Sequence, residues 1–394
     1  MAIIVQNLPV PFDRRVWQEA TTLKAHGLDV TVICPNGEGY PKGEFEIEGV
    51  RVVRYKAPRE ADTLLGYLRE YAGSIAKFLY HLAKLQTSGR FKVIQYCNPP
   101  DLLFLAILPS KFLLGSKIIF DQHDLGPELM DAKGFAKSAF FRSFSLAIER
   151  LSYFFSDNVI STNESYAKIA EQRGKKPRHK IFIVRSGPRR NWANDVQASK
   201  DFRKNHKFQL GYIGVMGIQD GVDLLLQAVA NLVITKKLDV YLVLAGGGTE
   251  LNRLKILSQQ LGINNHVEFY GKVTDDRLLR NLIFSSDVCV ASDRDNKLNS
   301  LSTMNKIIEY MALGRPMILF DSLESRYSAA ESALYVEPEN VEEFSERLFK
   351  LLLDDSLRVK LGQFGRERFL NSLAWENQIP NLIQAYGLSD SSGE

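Results

Sequence analysis

The chain has 394 residues, 45% hydrophobic and 24% charged, which suits a soluble globular protein and is long enough for two domains. No apolar run reaches membrane-span length, and three scattered cysteines (Cys34, Cys97, Cys289) without CxxC spacing argue against a disulfide framework or a zinc site. The charge is split: residues 1–190 hold 28 Lys+Arg against 19 Asp+Glu, and the remainder holds 22 against 27, so a basic half precedes an acidic one.

Met1 to Gln6 lack a basic leader and read as a first strand, which fits a cytoplasmic protein. Further strands are predicted at 29–34, 50–54, 92–97, 117–121, 157–161 and 180–184, with helices at 13–26, 63–86, 101–113, 136–155 and 164–173. Such alternation predicts a parallel sheet covered on both faces. The segment from Ser186 to Lys207 is polar and lacks apolar periodicity. It carries the linker, set at 191–207 between a first domain of 1–190 and a second of 208–372. The pattern then restarts, with strands at 208–213, 239–244, 266–270, 287–291, 316–320 and 333–336. Helices are predicted at 221–236, 248–260, 275–284, 304–313, 341–353 and 356–370, and a closing helix within 373–388. The fold class is therefore α/β, with two Rossmann-like doubly wound parallel sheets and a ligand cleft between their strand C-termini.

Several stretches carry chemistry. In the first half, Pro11 and Asp13-Arg14-Arg15 follow the first strand, with Asp13 placed to cap a helix. Asp121-Gln122-His123-Asp124 follows a buried strand, where such folds keep polar function. No glycine-rich dinucleotide fingerprint follows the first strand, which counts against an NAD enzyme. In the second half, the glycine turns Gly214–Gly221 and Gly246-Gly247-Gly248 each follow a strand, where glycine lets backbone approach a ligand. In Asn299–Asp321 a hydroxyl-rich turn (Ser300, Ser302, Thr303) leads into a helix bearing Lys306 and Glu309, stopped by Gly314 and Pro316. A helix start offers unpaired N–H groups to a phosphate, Lys306 adds a charge, and Glu309 offers hydrogen-bond acceptors to hydroxyls.

Asp293-Arg294-Asp295 has the spacing of a metal-binding DxD, but a tripeptide this short arises often by chance. His26, His81, His179, His206 and His266 show no ligand spacing, so no metal is assigned. Two aromatic, basic helices, Leu64–Leu85 and Lys137–Phe155, have the composition of segments that lie on anionic bilayers, as well as of segments that cover a sheet.

These motifs together resemble the family 4 glycosyltransferases of the two-domain GT-B architecture, over essentially the whole chain. The resemblance rests on P-x-D-R-R-V-W-x-E-A at Pro11–Ala20, D-x-H-D-L-x-P-E at Asp121–Glu128, the two glycine turns, V-E-F-Y-G-K-V at Val267–Val273, and S-T-M-N-K-I-I-E-Y-M-A-x-G-x-P at Ser302–Pro316. It also includes the closing Trp375-Glu376 segment, which in that family crosses back onto the first domain.

The resemblance implies retaining, metal-independent transfer from a nucleoside diphosphate sugar, with no cofactor. It implies a catalytic set of His123, Glu309 and Lys306. Gly214, Gly217, Gly246, Gly247, Val273, Asn299, Ser302, Thr303, Met304 and Asn305 would hold the donor. Pro11, Asp13, Arg14, Arg15 and Asp124 would face the acceptor. Expected partners are a nucleotide sugar, a glycan or polyprenyl-linked acceptor and an anionic membrane surface at the inner face of the plasma membrane, with no nucleic acid.

The chain departs from the family in three places. Val215 and Asp220 stand where the family keeps a diphosphate-binding Arg and Lys, and Leu301 where it keeps a Glu. Lys306 is the first candidate to replace the missing cations, ahead of Arg294, Lys297 and Asn299. Two rivals stay open: a nucleotide-sugar epimerase, and a non-catalytic binding subunit of the same descent.

Overall fold

The computed structural model describes residues 1–57, 64–132 and 139–388. The chain forms two compact units, Met1–Arg185 with the closing segment from Gln378, and Ser186–Asn377.

The first unit holds β1 (Ala2–Ile4), β2 (Thr31–Pro35), β3 (Gly43–Ile47), β4 (Val50–Tyr55), β5 (Val93–Cys97), β6 (Lys117–Gln122), β7 (Asn158–Ser161) and β8 (Ile181–Ile183). They form one sheet in the order β3-β4-β2-β1-β5-β6-β7-β8. The central strands β1 and β2 are buried along their whole length and β5 at all but its first residue, as expected for a sheet covered on both faces. The strand not foreseen is β3, an edge strand antiparallel to β4. Its charged, alternating GEFEI sequence lacks the continuous apolar run of the others. It is joined to β4 by Glu48-Gly49, both at positive φ, as a tight hairpin requires. Chain order reverses beside β1, so the loops after β1 and β5 flank the switch point where this fold class binds ligands.

Helix Arg14–Ala25 begins where expected, with Asp13 accepting from the Val16 N–H at 3.2 Å. Helix Leu64–Gln86 packs Phe78, Leu82 and Leu85 into the core, with Phe78 edge-on to Tyr55. That face covers the sheet and is not available to a bilayer. The predicted starts of this helix and of 136–155 fall outside the described residues.

The second unit holds β9 (Phe208–Ile213), β10 (Val240–Ala245), β11 (Val267–Gly271), β12 (Val288–Ala291), β13 (Met317–Phe320) and β14 (Ala333–Val336). All pair in parallel, in the order β11-β10-β9-β12-β13-β14. The switch point lies between β9 and β12.

The polar segment read as a linker is fastened to this unit. The Trp192 indole donates to Asp276 at 3.1 Å, Arg280 donates to the carbonyls of Trp192 and Asn194, and Arg203 pairs with Asp287 at 2.9 Å. Its polarity reflects these anchors. The stretch Asn299–Asp321 also opens differently from expectation. A single helical turn, Lys297–Leu301, capped by Asn296, precedes Ser302–Met304 and the helix Asn305–Ala312. A second unforeseen helix, Leu323–Ala329, is capped by Ser322. Both are too short for apolar periodicity to reveal.

Candidate functional site

In the second unit the two glycine turns lock together at the C-terminal ends of β9 and β10. Gly214 N donates to Ala245 O at 3.1 Å, and Met216 N to Gly247 O at 2.9 Å. A Cβ on Gly246, at φ +148°, would lie 1.8 Å from Gly214 O. One on Gly248 would lie 2.4 Å from Met216 O. Glycine is therefore demanded by loop packing at both positions. Gly247 is different, because a Cβ there meets nothing within 4 Å. Gly217 N donates to the Asp220 carboxylate at 2.8 Å, so the aspartate that replaces the family's lysine caps the turn. Val215, at the arginine's place, is exposed.

Lys306 stands in the first turn of helix Asn305–Ala312, close enough to Gly214 that a Cβ there would sit 3.6 Å from its Cε. The Lys306 ammonium is buried, bonds Asp293 at 2.7 Å and lies 4.8 Å from the Tyr212 ring centroid. Burial alone would lower the lysine's pKa, but Asp293 and Asp220 outweigh it and raise it. Asp293, which the sequence offers only as part of a DxD, is the ion-pair partner of Lys306.

Met304 occupies the N-cap position of that helix, and no side chain caps it. Its first N–H groups thus meet no capping side chain, the arrangement that suits an anion. Ser302 donates to Leu298 O at 2.7 Å, Thr303 is half-buried and Asn305 exposed. Asn299 spends both amide hydrogens on carbonyls, Gln219 O and Arg294 O, each at 2.9 Å, which braces the β9 and β12 loops against one another. Arg294 pairs with Asp223 at 2.7 Å, so its charge is committed. Glu309 is half-buried one turn beyond Lys306, and Val273 lies in the loop after β11, partly packed on the core.

In the first unit the switch-point loops enclose a buried charge cluster. The Arg15 guanidinium donates to Asp121 (2.7 and 3.3 Å) and to Val184 O (2.8 Å), and lies 3.2 Å from Glu19. Arg15 is thus an interior cation that holds Asp121, not a group facing an acceptor. Its neighbour Arg14 is exposed, and Pro11 and Asp13 are half-buried. Asp121 takes the His123 Nε2 at 2.6 Å. Burial alone would raise Asp121, but Arg15 and His123 hold it well below the usual carboxylate range. For His123, burial would lower the pKa, and Asp121 overcomes this and raises it. The Asp121 carboxylate thus favours the protonated imidazole of His123.

Gln95 Nε2 donates to Glu19 (2.6 Å) and to Asp121 (3.2 Å), and the Tyr386 hydroxyl donates to Gln95 Oε1. Burial, with the Asp121 charge, pushes Glu19 up to about 8. Asn98 organises the neighbouring turn, accepting from the N–H groups of His123 (2.7 Å) and Asp124 (3.2 Å). Glu19, Gln95 and Asn98 were missed as site residues, and Asp121 was named in its motif without a role of its own. One signal was available: Arg15 and Glu19 are opposite charges at i,i+4 on a helix face that also carries Val16 and Leu23.

Lack of ligand spacing also concealed a pairing. His206 and His266 lie with ring centroids 4.8 Å apart, and Asp239 bonds His206 Nδ1 at 2.6 Å. This is one of two groups among the described residues compact enough for a metal ion; the other is Cys97, Asp121 and His123. In each, a carboxylate already takes a histidine nitrogen, and Asp239 also accepts from Lys207 N at 2.8 Å.

Two parallel-sheet units, with glycine turns and an uncapped helix start at the switch point of the second, define a GT-B-type glycosyltransferase scaffold. The chain's residues 13–187 match the family model for glycosyl transferase 4-like domains, and residues 194–368 match that for glycosyl transferases group 1. The chain belongs to this group 1, family 4-like glycosyltransferase family.

The lipopolysaccharide core biosynthesis glycosyltransferase LpsE of Rhizobium meliloti is 30% identical over 158 residues, 40% of this chain and 43% of that one. The matched portions span between 42% and 63% of the length of the curated relatives. Among solved structures, sucrose-phosphate synthase from Thermosynechococcus elongatus superposes with TM-score 0.77 at 19% identity, covering 98% of each chain. Anabaena Alr3699/HepE in complex with UDP-glucose gives 0.74 at 15% identity, over 98% of this chain and 99% of that one. At such identities the likeness is one of fold.

Proposed function

We propose that this protein transfers a glycosyl group, with retention and without a metal, from a nucleoside diphosphate sugar to a glycan or lipid-linked acceptor. The product would be a surface polysaccharide or glycolipid. The observation that carries this is the uncapped start of helix Asn305–Ala312 beside Lys306 and the glycine turns, at the switch point of the second sheet. The diphosphate lies on the helix start, with Lys306 as the cation that Val215 and Asp220 do not supply. Glu309 accepts from the ribose hydroxyls, and the backbone around Val273 holds the base. Catalysis is then positioning and stabilisation of the leaving diphosphate. His123, bonded to Asp121, is assigned to the transferred sugar. That a relative of the same fold was crystallised with UDP-glucose supports a donor of this class.

Titration calorimetry of nucleotide sugars against the native chain and Glu309→Ala tests the donor site. Binding by the native chain and its loss in the variant is expected. Unchanged affinity for every nucleotide sugar would remove Glu309 from the site. A non-catalytic binding subunit is the second reading. It is favoured by the exposed Val215 and the turn-capping Asp220 in place of two cations. Absence of any nucleoside diphosphate binding by the native chain would favour it.

A further inference from the structure

Strands β9, β10 and β11 lie side by side in the second sheet, with β10 in the middle. Each starts beside a side chain that can ligate a metal. His206 stands just ahead of β9, and Asp239 and His266 stand directly ahead of β10 and β11. Parallel pairing sets Val240 beside Phe208 and Val267 beside Leu242, so the three starts share one end of the sheet. The glycine turns of the candidate donor site follow the opposite ends of β9 and β10.

One ligand atom from each of His206, Asp239 and His266 lies within 4.8 Å of the others. His266 Nδ1 lies 2.9 Å from Val240 O, which can only accept, so Nδ1 carries the proton and Nε2 of the neutral ring keeps its lone pair. A backbone carbonyl that fixes the tautomer in this way is the usual support of a metal-bound histidine. The His206 ring is stacked on Tyr241, centroids 4.9 Å apart, and its Nδ1 meets Asp239 Oδ1 at 2.6 Å. Lys207 N donates to Asp239 Oδ2 at 2.8 Å and orients the carboxylate. Burial alone would raise the Asp239 carboxyl, but His206, the Lys207 N–H and His266 outweigh it and lower it, so the group is an anion. Of the other charges around it, Lys204 is paired with Glu268 at 2.8 Å, and the Lys207 ammonium lies 5.1 Å from the Phe208 ring centroid. The Asp239 side chain is 51% exposed, which leaves a path from solvent.

Two imidazoles and one carboxylate are borderline donors. They suit zinc and its neighbours, whereas magnesium and calcium take oxygen ligands. Zinc bonds of about 2.0–2.1 Å hold tetrahedral ligand atoms about 3.4 Å apart. The widest separation here must close by about 1.4 Å, and the His206–Asp239 contact must open, as the metal enters it.

We propose that His206, Asp239 and His266 hold a divalent transition metal, zinc fitting best, which ties together the starts of β9, β10 and β11. Water fills the fourth position. The metal takes the place of the proton between His206 and Asp239. That proton passes to His206 Nε2, or to solvent where the ring was an imidazolium, so binding weakens in acid. The proposal does not depend on the donor reading, and the metal stands at the far end of the strands from the candidate donor site.

The test is calorimetry of zinc chloride against the full chain, freed of metal by a chelator, at about pH 7.5 and about pH 5, on either side of the ordinary histidine pKa of about 6.5. Saturation at one zinc per chain and a rise in thermal midpoint are expected at the higher pH, with binding at least about tenfold weaker at the lower. Magnesium chloride should give neither effect. His266→Gln and Asp239→Asn should each lose about tenfold or more of the zinc affinity. Their midpoints without metal are measured alongside. Asp239→Asn keeps an acceptor for Lys207 N at a half-exposed position, so it serves even where His266→Gln unfolds. Three results would overturn the proposal: no saturable zinc binding by the native chain below about 1 mM, folded variants that bind zinc like the native chain, or magnesium bound as tightly as zinc.

Discussion

Lys306 and Asp293 form an ion pair at 2.7 Å, their side chains only 9% and 12% exposed, at the mouth of the second sheet's switch point. A buried ammonium needs such a partner, and Asp293 with Asp220 keeps it charged. The same cation lies nearest the proposed diphosphate. Lys306→Met should therefore weaken a nucleoside diphosphate by about tenfold or more, since a charged hydrogen bond is worth roughly 1.5–3 kcal/mol. Its effect on the bare nucleoside should be small. Calorimetry with both ligands checks this, and equal weakening would end the phosphate role. Asp293→Ala strands a buried cation, so a loss of about 3 kcal/mol in urea unfolding is expected.

The Asp121–His123 contact predicts a titration. With Asp121→Asn the imidazolium loses its counter-charge, and the His123 pKa should fall from above its ordinary value to below it, because burial then acts unopposed. NMR titration of the histidine ring protons measures this directly. The linkage sign follows. A group whose folded pKa is raised stabilises the fold below its unfolded pKa, and that contribution is lost as pH rises through the folded value. The stability gap between native and Asp121→Asn protein should therefore narrow as pH rises through the His123 pKa and stay level above it. A gap that stays constant would mean that Arg15 alone accounts for Asp121.

The strands of both sheets could be read from sequence because buried parallel strands are unbroken apolar runs, as in Lys117–Phe120 and Met317–Phe320. Strand β3 could not, since its Glu-Phe-Glu alternation serves an edge. The glycine turns and the Lys306 helix were legible because steric and capping demands are local. The Arg15–Asp121–Glu19 cluster was not. Its members are separated by up to 106 residues, and a buried arginine looks like a surface arginine until topology brings β6 beneath it. His206 and His266 were hidden in the same way, since spacing along the chain is no guide to which residues meet at the entrances of β9 and β11, on either side of β10.

Two adjacent glycines separate scaffold from ligand contact. Gly246→Ala places a methyl 1.8 Å from Gly214 O at a φ that alanine rarely adopts, so it should destabilise the fold by more than about 2 kcal/mol. Gly247→Ala meets nothing within 4 Å and should leave the thermal midpoint within about a degree of native, as for substitutions away from packed features. If the diphosphate or sugar approaches this backbone, Gly247→Ala will still reduce donor affinity. Native affinity in a natively stable Gly247→Ala protein would remove that residue from the donor site.

Glu19 makes the fold sensitive to alkaline pH. Burial and the Asp121 charge raise its carboxyl to about 8, so across the interval up to that value the folded protein keeps a proton that the unfolded chain has released. Stability attributable to Glu19 is therefore complete at low pH and declines as pH climbs through this window, by on the order of 1 kcal/mol per unit. Glu19→Gln mimics the protonated carboxyl and still accepts from Gln95. Urea unfolding at pH 5 and pH 8 should show the variant close to native at the lower pH and more stable at the higher. The opposite result, a variant weaker at pH 8, would mean that Glu19 is ionised and that its 3.2 Å contact with Arg15 is a working salt bridge.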